Sequence, residues 1–289
     1  MKKIALTLFV AVLFSTQMMA QGRLGSKLLD KLAPPAKQEE QPQPMDVKTT
    51  PDGYSITTDD GTVTIEDAQP GDFQPNTFLG SFVMNIQSTE KGKTEKSMIE
   101  YHFQKWQTSM KPTVEGQQET MQMIFNLQNQ KMTLLTTDKK GAKTGIITKM
   151  PKVEFTSNKL DEKIEQSIDN TTFKRTGEKK NISGYTCEKW IITSPDGVSE
   201  AWITNEIDFN MANAFNMFSA GSKGKGGSKM SGFGDITGFA LESTFTDNKG
   251  NVSKMTVSDI KVGNPSDTHF STAGYTITDV SSFGSMFGK

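Results

Sequence analysis

A period of two in the apolar residues, repeated in separate runs, constrains this chain more than any other feature. Met121, Met123, Phe125 and Leu127 alternate with Gln122, Asn126 and Gln128. Phe78, Phe82, Met84 and Ile86 share one phase with Gly80 between them, and Ile99, Tyr101 and Phe103 repeat the pattern. Successive side chains of a strand point to opposite faces, so such runs fold as strands with one buried face. Met132 and Leu134 continue the series, followed by residues 182–193 and 199–204. Phe239, Leu241 and Phe245 alternate with Glu242, Thr244 and Thr246, and Tyr275 and Ile277 close it. Met255 and Val257 lie in one phase but Ile260 and Val262 in the other, which predicts a β-bulge near Ser258-Asp259.

The connections are short. Asn129-Gln130, residues 138–141, Asp196-Gly197 and residues 247–250 read as turns between antiparallel neighbours. Nothing alternates as strand–helix–strand, so a parallel sheet is not expected. Helical spacing is clear once, at Leu160, Ile164 and Ile168, with Ser157 and Asn158 as candidate caps. The expected fold class is mainly β, with about nine strands. It is a large curved antiparallel sheet with one wet face, the other covered by one or two helices.

Residues 1–20 have the plan of a cleavable secretory signal. Lys2 and Lys3 precede an apolar run over 4–14 broken only by Thr7, and Met18-Met19-Ala20 precedes Gln21. The run is too short for a membrane span, which needs about 20 residues, and no later segment qualifies. The mature protein is expected to start near Gln21, in the periplasm or secreted. Residues 21–75 read as a linker. Leu24, Leu28, Leu29 and Leu32 outline a short helix or a frayed start to that linker, and PPAKQEEQPQP over 34–44 is an extended spacer. Tyr54 and Ile56, then Val63 and Ile65, flank Asp60-Gly61 as a small hairpin that either docks or stays loose. The main domain is expected over 76–280, with a tail over 281–289.

Composition removes several function classes. The formal net charge is -1 and the arginines are Arg23 and Arg175 alone, a poor endowment for nucleic-acid binding. The one cysteine, Cys187, leaves no internal disulfide, so stability rests on a core, and Cys187 reads as a small buried hydrophobe. The two histidines, His102 and His269, lie far apart in the sequence with no metal-ligand spacing. His102, between Glu100 and Gln104 in phase, reads as solvated on the polar face of a strand. No G-x-S-x-G elbow occurs. Gly92-Lys93-Thr94 lacks the earlier glycine of a phosphate loop, because Gln87 stands there. The chain is expected not to be an enzyme and to carry no cofactor and no metal.

The densest apolar stretch is 209–218, expected to be a helix over the apolar face of the sheet. A Gly-, Ser- and Lys-rich hinge follows over 219–234. Two readings stand: a core plug, or a lid facing a ligand. The hydrophobic-ligand candidates are Phe209, Met211, Phe215, Met217 and Phe218.

Residues 176–204 carry a resemblance. Thr176-Gly177-Glu178 is followed by Ile182-Ser183-Gly184-Tyr185-Thr186-Cys187-Glu188-Lys189-Trp190, and then by Glu200-Ala201-Trp202-Ile203-Thr204. This is similar to a family of exported Gram-negative proteins with a domain of unknown function, akin in fold to the lipoprotein carrier LolA and related lipid-binding half-barrels. The resemblance implies an open antiparallel sheet around an apolar cavity, and a lipid-like or other hydrophobic ligand. It matches none of the carrier's lipid-contacting residues. From the residues themselves, Gly184 suits a positive φ at a turn, and Trp190 and Trp202 are large surfaces available to a core. The expected protein is a non-enzymatic cell-envelope module that binds a hydrophobic small molecule. The other reading is a structural or interaction module with a self-filled core and an envelope protein partner.

Overall fold

Strands dominate residues 46–50, 53–58, 61–90, 92–116, 118–156, 171–209 and 238–281, which a computed structural model of the chain describes. In chain order they are β1 (Asp46–Thr50), β2 (Gly53–Thr58), β3 (Gly61–Asp67), β4 (Gly80–Glu90), β5 (Lys93–Gln104), β6 (Gln107–Val114), β7 (Thr120–Asn126) and β8 (Lys131–Thr137). Then come β9 (Lys143–Lys149), β10 (Pro151–Thr156), β11 (Thr172–Ile182), β12 (Tyr185–Ser194), β13 (Gly197–Thr204), β14 (Phe239–Asp247), β15 (Val252–Val262) and β16 (Thr276–Asp279). A 3-10 turn spans Asp267–Phe270. The helices expected over 21–33, 157–168 and 209–218, the hinge over 219–234 and the last residues of the tail lie outside the described residues, except Phe209.

The protein is mostly β, built on one large, curved, unclosed sheet. Its twelve strands run β11-β12-β13-β14-β15-β4-β5-β6-β7-β8-β9-β16, so β11 and β16 are the two edges. A second sheet of four strands, β1-β2-β3-β10, takes in the expected hairpin: β2 pairs with β3 from Gly53↔Glu66 to Thr58↔Gly61, and β3 pairs with β10. The bulge falls where the change of phase put it, with a register shift between Ser258 and Lys261 and Asp259 at φ 52. The run 182–193 is not one strand. Ser183 and Gly184, at φ 52 and 91, turn the chain between β11 and β12. A two-residue hairpin turn with both φ positive matches strand twist, and glycine enters it without strain.

The large sheet is antiparallel, as expected, except for one parallel pair, β9 with β16. The cause is topological. β15 lies beside β4 and β16 beside β9, so residues 263–275 must cross the strands between them. Hydrogen bonds show where they cross. The Gln104 amide donates to the Pro265 carbonyl (3.1 Å) and to Asp267 Oδ1 (2.7 Å), and the Gln122 amide donates to the His269 carbonyl (2.7 Å). Gln104 and Gln122 point away from the apolar side chains of β5 and β7. The crossing segment therefore covers the polar, outer face.

Cross-strand register sorts the two faces. On the core face, Phe82, Tyr101, Met110, Met123 and Leu134 form one row across β4 to β8, and Phe103, Thr108, Phe125, Met132 and Thr148 form another. On the outer face, Ser81, His102, Ser109, Ile124 and Thr133 make the row beneath the crossing segment. There Ile124 and Leu135 are buried as well. Gly145 leaves room for Ile277: a Cβ on it would lie 2.5 Å from Ile277 Cδ1 and 2.7 Å from Leu135 Cδ2.

Candidate functional site

The core face has two parts of different character. One is aromatic. Phe82 meets Tyr101 (5.0 Å between ring centroids), Phe103 (5.6 Å), Phe209 (5.2 Å) and Phe239 (5.0 Å), and Phe78 closes on Phe209 at 5.5 Å. Tilted and edge-to-face pairs of this kind each add about 0.5–1.5 kcal/mol beyond area burial. Phe209, the one described residue among the sequence-predicted ligand contacts, is thus part of this close-packed cluster. Met211, Phe215, Met217 and Phe218 lie outside the described residues.

The second part is rich in methionine. Met84, Met110, Met121, Met123, Met132 and Met255 are all buried, with Ile99 and Val257 beside them. Methionine side chains adapt their shape more readily than branched ones. Tyr101 lies between the two parts in register, with Phe82 on one side and Met110 on the other, at 4 % exposure, and its Oη has no hydrogen-bond partner among the described residues. Burial pushes its phenol well above the ordinary range. Thr148 Oγ1, also buried, has no partner among the described residues either. A buried hydroxyl left unmet costs about 1–3 kcal/mol. Alternation placed Tyr101 on the core face, but no sequence signal shows that its hydroxyl lacks a partner.

Cys187 is fully buried in the same core and is a free thiol, as the sequence implied. Trp190 and Trp202 are only half-buried, so they are not central core residues. Trp202 packs against the core's edge and carries the Lys180 ammonium 4.4 Å from its ring centre.

On the outer face, the reading of His102 as solvated is overturned. His102 is 6 % exposed, because the crossing segment lies on it. Its ring stacks on His269 with centroids 3.5 Å apart and planes at 18°. Its Nε2 lies 2.9 Å from Glu100 Oε1, and its Nδ1 is buried without a partner among the described residues. Burial lowers the pKa of His102, partly countered by the Glu100 hydrogen bond, while His269 and Lys261 add to the lowering. Among the described residues, Glu100, His102 and His269 bring one ligand atom each within 4.8 Å of one another. Sequence spacing concealed this group, since its members come from β5 and from the turn at 267–270.

Residues 247–250 are a turn, as expected. Asp247 Oδ1 accepts from the backbone N–H of Lys249 and of Asn251, both at 2.8 Å, which uses the carboxylate locally.

No helix of the described residues is long and apolar enough to cross a membrane. No curated protein matches the chain. Solved structures similar to it include PNGF-II, at 14% identity and TM-score 0.31, covering 72% of this chain and 32% of that one. The chain therefore spans about a third of that protein's length. A LolA superfamily protein from Nitrosomonas europaea matches at 9% identity and TM-score 0.28, covering 70% of this chain and 94% of that one. An uncharacterized conserved protein from Thermus thermophilus matches at 9% identity and TM-score 0.35, covering 69% and 90%. The sequence profile of a family described as "Domain of unknown function (DUF4412)" matches residues 78–275, which bears out the resemblance to a family of that kind.

Proposed function

We propose, for a chain that belongs to the DUF4412 family, a non-enzymatic role in the cell envelope: export, followed by binding of an apolar ligand that carries a hydrogen-bonding oxygen. One observation carries this reading. Among the described residues the Tyr101 hydroxyl is buried without a partner, on a face lined by methionine, aliphatic and phenylalanine side chains. Methionines can shift to admit an apolar body, and a ligand oxygen would meet the hydroxyl. Met211, Phe215, Met217 and Phe218 follow Phe209 in the chain and are proposed as further contacts with the ligand.

The aromatic cluster favours a second reading. Phe82, Phe103 and Phe239 are at most 1 % exposed and already touch one another or share Phe209. A core filled throughout in this way belongs to an interaction module with an envelope protein partner.

One experiment separates them. Protein purified without detergent is extracted and the extract analysed by mass spectrometry, and the stripped protein is then titrated with oleate. Under the binding reading a single class of amphiphile co-purifies. Oleate binds the parent chain, and Tyr101→Phe weakens it by roughly tenfold, the worth of about one hydrogen bond. A protein that yields no amphiphile, takes up no oleate and is simply stabilised by Tyr101→Phe has a self-filled core, and the binding reading fails.

A further inference from the structure

The chain has two histidines, and the fold stacks them on each other where the crossing segment meets the outer face of the sheet. Neither is near the methionine-lined face, because His102 points to the opposite side of β5 from Tyr101. We propose that Glu100, His102 and His269 form a binding site for a divalent transition-metal ion of the zinc type, which fastens the crossing segment to the outer face of the sheet.

Four observations support the site. Its three donors lie within 4.8 Å of one another. Two imidazole nitrogens and one carboxylate oxygen are the donor set that zinc and its neighbours prefer, whereas calcium and magnesium take oxygen alone. The His102 side chain is more than nine-tenths buried, and among the described residues its Nδ1 has no hydrogen-bond partner, so a polar atom is held away from water with none of them to meet it. The frame is also built from both sides. Ser81 and Ser109 flank His102 in register, while the Gln122 amide holds the carbonyl of His269 itself and the Gln104 amide holds Asp267 at the start of the same turn.

The stack needs one adjustment to take an ion. Bonds of about 2.0–2.1 Å set tetrahedral donors roughly 3.3 Å apart; His102 Nε2 and Glu100 Oε1 are already at 2.9 Å, but the three donors together are bounded only by 4.8 Å, and rings stacked at 18° do not aim at one point. His102 is confined by burial. His269 is half-exposed on a 3-10 turn that has no buried residue, so it is the ring that turns. Lys261, whose charge acts on His102, is the nearby cation an ion must coexist with. Glu100 supplies the compensating negative charge.

The test uses the full chain without a histidine tag, stripped with EDTA. Cobalt(II) is added and its visible d–d absorption followed, then zinc is added in competition. The expected result is one cobalt ion per chain, displaced by zinc, a rise in Tm with zinc, and displacement of both histidine ring signals in the NMR spectrum. His269→Ala, which changes a turn residue outside the core, is expected to keep the far-UV spectrum of the parent. It should weaken cobalt binding by more than about tenfold and abolish the zinc-dependent rise in Tm, and Glu100→Gln should also weaken binding. Should His269→Ala or Glu100→Gln bind cobalt as tightly as the parent, or the parent bind none at a one-to-one ratio, the site does not exist. Because neither variant touches the core face, oleate binding is unaffected either way, and the two proposals stand or fall separately.

Discussion

Cys187 has no exposed surface, and burial pushes its thiol up to about 11, with Glu206 and Glu242 adding to the rise and Lys180 opposing it. The thiolate is the reactive form, and an ordinary cysteine titrates near about 8.5. Native protein at pH 8 is therefore expected to resist iodoacetamide, and the same protein in concentrated urea to be alkylated within minutes; equal rates in the two solutions would contradict a buried thiol. The sign of the pH effect follows. A thiol whose folded pKa is raised favours folding fully below the unfolded value, and that contribution is lost as pH climbs from about 8.5 toward about 11. Thermal scans across this interval should show a fall in Tm that Cys187→Ala flattens. This residue was legible in the sequence because a small apolar side chain in a strand has one ordinary place to go. His102 was not. Alternation assigned it correctly to the face opposite Tyr101, but what lies on that face comes from residues 263–275, and no local pattern reports a segment arriving from so far along the chain.

The same limit acts on whole elements. Strands with alternating apolar residues, such as β4, β5, β7 and β14, could be read directly, and so could the bulge in β15, where the change of phase marks the extra residue. β11 was missed because TFKRTGEKKNI alternates nothing; it is an edge strand whose outward side chains meet water. β16 was read as a strand, but its parallel partner was not readable, since Tyr275 and Ile277 carry no mark of which strand they will join. At the register pair Ile277↔Gly145 a Cβ on residue 145 would fit only if the ends of the Ile277 and Leu135 side chains moved. Gly145→Val is expected to push Ile277 and Leu135 apart and to cost about 1–3 kcal/mol, the usual range for overpacking. The loss should be local at first: amide exchange in β9 and β16 should quicken before that in β4 and β5. Uniform quickening across the sheet, or none, would mean that β16 does not depend on the space at Gly145.

An open sheet leaves two edges, and an edge with free N–H and C=O groups recruits other strands unless it is blunted. At one end of this molecule the edge is short, since β16 has four residues, and Asp279 there is engaged by Lys131 at 3.4 Å. At the other end β11 is eleven residues long, so length gives it no protection. Its protection is chemical and geometric. Lys174, Arg175, Glu178 and Lys179 are exposed along it, and the register against β12 shifts between Arg175 and Lys179. Charges must be desolvated before a second strand can add, and a bulge twists the edge out of line with a straight partner. The same charges form the surface pairs Arg175–Glu188 and Lys189–Glu178, which as exposed pairs contribute little to stability. Their value lies in what they prevent. Lys174→Val with Lys179→Val keeps the bulge and removes two of the four charges. The double variant is expected to fold with the parent's far-UV spectrum and a Tm within a few degrees of it, yet to self-associate at concentrations where the parent does not. Size-exclusion chromatography with light scattering checks this over a dilution series. Association that reverses when Lys179 alone is restored would place the protection at the bulge. Identical mass profiles for variant and parent would show that β11 is guarded by something other than its lysines.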